Sequence, residues 1–179
     1  MSLVQNFPLI SIIIAMFSGI LSSVLTGKQA RNVSLTAISV TTAMSAAVLF
    51  FCLKTGESYT YMMGHFPAPW GNEIRAGVLE GLTALMFGLV MLFSVIGGME
   101  HTFLDVEESK TNLFFIMIDL MLSSLLALIY TNDLFTAYVF VEINTISACG
   151  LIMIRQNGRT IEAATRYMIM SLLGSGLLL

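Results

Sequence analysis

An all-α, polytopic membrane protein of about six spans is predicted by three features of these 179 residues. The mean hydropathy is +0.87. Apolar residues make up 56% and charged residues only 11% of the chain, far from the usual soluble composition. The apolar residues fall in runs of roughly 20, the length that crosses hydrocarbon as a helix. The formal charge of −3 is small and spread out, and no basic run points to nucleic acid. A soluble enzyme is excluded by composition.

Residues 8–26 form the first predicted helix, opening on Pro8, where a missing N–H is tolerated. The residues before it carry no Lys or Arg, so the basic start of a secretory signal is absent. GKQARN, residues 27–32, reads as a connection, and 33–53 as the second helix, whose hydroxyls can bond carbonyls within their own helix. Residues 54–75 form the longest polar stretch. Pro67 and Pro69 argue there against both helix and strand, and Tyr59, Tyr61 and Trp70 suit a headgroup layer.

The third helix, 76–98, begins with Gly77 and Gly81 at the spacing that permits close helix approach, and carries Glu80 in its first turns. Residues 99–112 read as a polar connection holding His101, and 113–131 as the fourth helix, with Asp119 about a third of the way in and Ser123 one turn on as its natural partner. His65 and His101 read as solvated loop side chains. Cys52 and Cys149 read as small buried apolar residues, with no metal or disulfide pattern.

The fifth helix, 134–154, holds Glu142 near its middle. A charge at that depth costs about 2.5–3.5 kcal/mol on insertion scales, so the carboxyl needs a partner, water or a proton. Tyr138, Glu142, Thr145 and Cys149 share one helix face, a partly polar stripe that should meet another helix or water. The sixth helix, 160–179, pairs Glu162 with Arg166 four residues on and offers Ser171, Gly174 and Ser175 for packing. Lys28, Arg31, Lys110, Arg155 and Arg159 fall on one side of this topology and Lys54 and Arg75 on the other, which places both termini outside.

Three segments, in order, resemble one family. YMMGHFPAPWG at 61–71 is similar to a Y-x-x-G-x-x-x-x-P-x-G element. NDLFTAYVFVEINTIS at 132–147 is similar to a D-L-F-x-x-Y-x-F-x-E signature, and RYMIMSLLGSGLLL at 166–179 to a Y-L-x-x-S-x-x-G-S-x-L-L segment. All three resemble the antiporter-like membrane subunits of NADH:quinone oxidoreductase (complex I), Mrp-type cation/proton antiporters and membrane-bound hydrogenases. The resemblance implies one transmembrane domain, 1–179, corresponding to the opening helices and the first half of an inverted repeat within a longer fold. It implies a multi-pass protein of a bacterial or archaeal plasma membrane, assembled with the other membrane subunits of such a complex.

It also implies transfer of protons or sodium ions through Glu142, coupled to lysines on later helices, with Asp119 and Glu80 as secondary candidates. The acid that relatives carry early in the third helix would fall near Gly77, so Glu80 stands one turn on. A cation close to a buried carboxylate favours its charged form, and withdrawing the cation favours the protonated form. No catalytic redox site, cofactor or metal is expected in this chain. The other reading is a structural subunit that braces an ion-translocating neighbour.

Overall fold

The computed structural model describes residues 3–62 and 71–178. After a short 3-10 turn at Leu3–Asn6 come α1 (Phe7–Val24) and α2 (Gly27–Thr55). A hairpin of β1 (Tyr59–Met62) and β2 (Glu73–Ala76) leads to α3 (Val78–Asp105). Then follow α4 (Thr111–Tyr130), α5 (Leu134–Met153) and α6 (Gly158–Leu178). Five of these helices are long and apolar enough to cross a membrane. The exception is α6, diluted by Arg159, Glu162 and Arg166 in its first turns.

Helix α4 is the hub: α1, α2, α3 and α5 all pack on it, whereas α6 packs chiefly on α5. Its inner face supplies Phe115, Ile118, Leu122, Leu126 and Tyr130, each nearly inaccessible. Without a hydrophobic gain between helices in lipid, close contact and interhelical hydrogen bonds must hold such a bundle. Small residues provide the contact. A methyl added to Gly81 would lie 3.1 Å from the Leu49 Cα, and one added to Gly88 would meet the Thr42 hydroxyl at 2.5 Å. The close helix approach expected at Gly77 and Gly81 is made against α2 by Gly81 and Gly88, two turns apart on one face of α3. Gly77 precedes the helix and instead leaves room for the Glu80 carboxylate. Gly81→Val should force α2 and α3 apart and lower the thermal unfolding midpoint in detergent by several degrees, whereas Gly97→Val, at a position open on all sides, should leave it nearly unchanged.

Helix ends differ from expectation where a polar run stands at the edge of an apolar one. GKQARN, expected as a connection, is the first turns of α2, because Lys, Gln, Ala and Arg are good helix formers with no proline among them. Helix α3 likewise runs seven residues beyond Gly98, so His101 lies on its last turns rather than in a connection. Hydropathy there marks the edge of the apolar layer, not the end of the helix.

The hairpin also corrects the sequence reading. Tyr59 pairs with Ala76 and Tyr61 with Ile74 in antiparallel register. Tyr59, Thr60 and Tyr61 of β1 and Ile74 of β2 are residues that the pleat favours. Pro67 and Pro69, with His65 and Trp70, lie between the strands and outside the described residues, so their veto on strand did not reach Tyr59–Met62 or Glu73–Ala76. The hairpin is stitched to the α4–α5 turn by an Ile74–Thr131 bridge and by the Asn132 N–H donating to the Glu73 carbonyl at 2.9 Å.

At the opposite end, the Asn112 side chain donates to the Leu25 carbonyl and the Lys110 Nζ donates to Gln156 at 3.0 Å. The α1–α2, α3–α4 and α5–α6 connections thus share one end, bringing Lys28, Arg31, Lys110, Arg155 and Arg159 together. Lys54 and Arg75 belong to the hairpin end.

Candidate functional site

Of the three acids singled out, each sits in a different setting. Asp119 is fully buried where α1, α2 and α4 meet. Ser34 of α2 donates to its Oδ1 at 2.6 Å and Ser22 of α1 to its Oδ2 at 3.3 Å, while Ser18 adds a third hydroxyl beside it. Gly19, between these two α1 serines, lets α1 approach so closely that an added methyl would lie 3.5 Å from the Asp119 Cβ. Ser123, expected as the partner of Asp119, turns the other way and donates to the Ile12 carbonyl at 3.2 Å. The next residue, Ser124, reaches Asn144 of α5 at 3.4 Å. Successive polar side chains of α4 therefore tie it to three different helices.

Glu142 lies on the α5–α6 seam. Its Oε1 accepts a hydrogen bond from Ser175, whereas its Oε2 is buried and has no hydrogen-bond partner. The stripe expected to meet another helix does so. Thr145 and Ser171 share a hydrogen bond of 2.9 Å, and the Cys149 thiol points at the Ala164 carbonyl at 3.6 Å. Tyr138, at the other end of the stripe, is partly exposed. On α6, Ser171 and Ser175 face α5 as expected, but Gly174 faces open space. The Arg166–Glu162 ion pair forms at 2.5 Å on the exposed side of α6.

Glu80 stands at the hairpin end, 3.8 Å from the Arg75 Nε and about one-fifth exposed. Among the described residues it shares no hydrogen-bond partner with Asp119 or Glu142. Two apolar cavities, of about 390 and 630 Å³, lie away from all three acids. The first is lined by Phe87, Met91, Phe115 and Leu125, the second by Leu113, Met117, Met153 and Ile161. Among the described residues no group of three or more His, Cys, Asp or Glu side chains is arranged to hold a metal.

Helix α5 is launched by Asp133, whose carboxylate accepts from the Thr136 N–H at 2.8 Å and the Thr136 hydroxyl at 2.6 Å. These two bonds hold the Asp133 carboxyl below its ordinary range. A carboxyl depressed on folding stabilises at pH above the unfolded value, about 3.9, and that contribution disappears as pH falls through the folded value. Asp133→Ala should cost about 1 kcal/mol at neutral pH. The difference from the parent chain should vanish in strong acid, as read by thermal unfolding at several pH values.

Comparison with known proteins agrees with this architecture. Residues 131–179 match a family described as NADH:quinone oxidoreductase/Mrp antiporter, transmembrane. The chain is 31% identical over 170 residues to NADH-quinone oxidoreductase subunit N of Desulforudis audaxviator, covering 92% of this chain and 33% of that protein. It is 23% identical over 175 residues to an Na(+)/H(+) antiporter subunit of Bacillus subtilis, covering 97% of this chain and 35% of that protein. It thus spans about a third of the length of the curated relatives it matches.

Among solved structures, a chain of the Mrp complex from Dietzia superposes with a TM-score of 0.85 at 18% identity, covering 99% of this chain and 33% of that one. A chain of the membrane-bound sulfane sulfur reductase, an archaeal respiratory membrane complex, superposes at 0.78 with 23% identity, covering 97% of this chain and 34% of that one. With sequence and fold in agreement, the chain resembles the antiporter-like membrane subunits of the NADH:quinone oxidoreductase and Mrp antiporter family, whose model matches residues 131–179.

Proposed function

We propose that this chain carries ions, protons or sodium, as an antiporter-like subunit of a multi-subunit complex in a prokaryotic plasma membrane, with Glu142 as the carrier. The observation that carries this reading is the half-satisfied Glu142 carboxylate: one oxygen bonded to Ser175, the other buried without a partner. A buried acceptor left unmatched costs about 1–3 kcal/mol, more if charged. The free oxygen is the atom that would take a proton or face a cation. An approaching positive group would favour the ionised form and its retreat the protonated one, which makes loading and release two positions of one cation. That cation would come from a neighbouring segment or subunit.

Asp119 serves as a satellite, since three hydroxyls from two helices satisfy it, and Glu80 marks the hairpin end of the route. Membrane orientation follows from the clustered cations: the end holding Lys28, Arg31, Lys110, Arg155 and Arg159 faces the cytoplasm, which puts both termini outside. Neighbouring membrane subunits, which supply the energy by redox chemistry or an ion gradient, complete the assembly.

The test is removal of the titrating group without change of shape, Glu142→Gln, with coupled ion flux measured in the assembled complex. Flux at the parent level would exclude Glu142 as carrier and leave the bracing role.

A further inference from the structure

Beneath the hairpin, at the junction of β1, α2 and α4, two phenols end inside the protein. Tyr130 closes α4 and is 1% exposed, and its hydroxyl has no hydrogen bond of normal geometry. The Tyr59 hydroxyl of β1 is also buried and unbonded. The Tyr59 ring is steered inward by an edge-to-face contact with Phe51, with centroids 6.2 Å apart. Tyr130 and the fully buried Cys52 belong to one packed cluster, and Tyr59 packs against it within electrostatic reach of both. Ser45 of α2 faces Tyr130 and spends its own proton on the Thr41 carbonyl at 3.0 Å, which leaves its oxygen able to accept. Ala76 and Ala84, both fully buried, keep bulk out of the same region.

Buried hydroxyls without partners are rare, because each forfeits its hydrogen bonds to water. Two orphaned phenols converging on one thiol and one serine oxygen supply the two to four polar partners that a bound water needs. We propose that Tyr59, Tyr130, Ser45 and Cys52 enclose a bound-water site between the hairpin and the α2–α4 core. Water there accepts from one phenol and donates to the other, completing both hydroxyls. The site lies on the hairpin side of the bundle, within electrostatic reach of Glu80, and is separate from the α5–α6 seam. This inference rests on the orphaned hydroxyls alone and stands whether or not Glu142 carries ions.

The experiment is radiolytic hydroxyl labelling of the full chain in its native membrane complex in 18O-water, combined with thermal unfolding of Tyr59→Phe and Tyr130→Phe. After correction for intrinsic reactivity, Tyr130 should take up the heavy oxygen several-fold faster than Phe115, which is as deeply buried on α4. Each Tyr→Phe variant should lower the unfolding midpoint, because it removes a satisfied hydroxyl. Labelling at the Phe115 rate overturns the proposal. So does an unchanged or raised midpoint in either variant, since removing an unsatisfied buried hydroxyl stabilises a dry core.

Discussion

Exchanging Glu142 for Gln in the assembled complex is expected to reduce coupled ion transport to background while leaving subunit content unchanged. Gln preserves the length of the side chain, and its amide oxygen still accepts from Ser175, so the α5–α6 seam should survive. What it loses is the capacity to gain and release a proton or to face a cation as an anion. Glu142→Asp is the informative companion. It keeps the acid but withdraws it by one methylene from Ser175, and it should retain a fraction of the parent flux. If both variants transport at the parent rate, the carboxylate is a packing group. If the Gln variant fails to assemble, the Asp variant still separates charge from shape.

The second large effect is expected at Asp119. Asp119→Ala removes the acceptor that Ser22 and Ser34 both use and strands their hydroxyls in a sealed junction of three helices. Hydrogen bonds to a charged group are worth about 1.5–3 kcal/mol each, so the variant should be destabilised by about 3 kcal/mol or more. Asp119→Asn should lose less, because the amide oxygen can accept from Ser34 and the amide nitrogen can donate to Ser22. Ser34→Ala should fall between them, and the pair Asp119→Ala with Ser34→Ala should be less than additive, the signature of a direct contact. Denaturant unfolding of the lipid- or detergent-solubilised protein measures all four. An Asp119→Ala chain as stable as the parent would show that the junction is held by packing alone.

The cores of α4 and α5 were legible in the sequence to within a residue or two, because each is an apolar run closed at both ends by polar residues. The covered face of α5 was legible for a related reason: an acid at mid-span is costly, and the helical neighbours of Glu142, Thr145 and Cys149, declared which face would meet another helix. The partners of Asp119 were not. Ser34 read as one of the second helix's hydroxyls bonding within its own helix, as Thr36 and Thr42 do, and Ser18 and Ser22 were not singled out among the first helix's serines, of which Ser11 and Ser23 bond within it. Only the serine pair Ser18 and Ser22, one turn apart around Gly19, hinted at a face turned to a neighbour. Register between helices is a tertiary choice, and nothing within a single helix sets it. The hairpin was lost to a different error: the prolines were charged to the whole connection, although a proline acts only on its own residue and its immediate neighbours.

The unequal attachment of α6 divides the chain mechanically. Helices α1 to α4 make a post, cross-braced at Asp119, at Ser123 and by the tight α2–α3 contact at Gly81. Helix α6 is an arm hinged on α5 through the Ser175 and Ser171 hydroxyls and the Ala164 carbonyl. Displacing the arm changes what the Glu142 carboxylate touches and leaves the post untouched. The acid therefore lies at the joint of this chain where a small movement alters chemistry without unfolding anything.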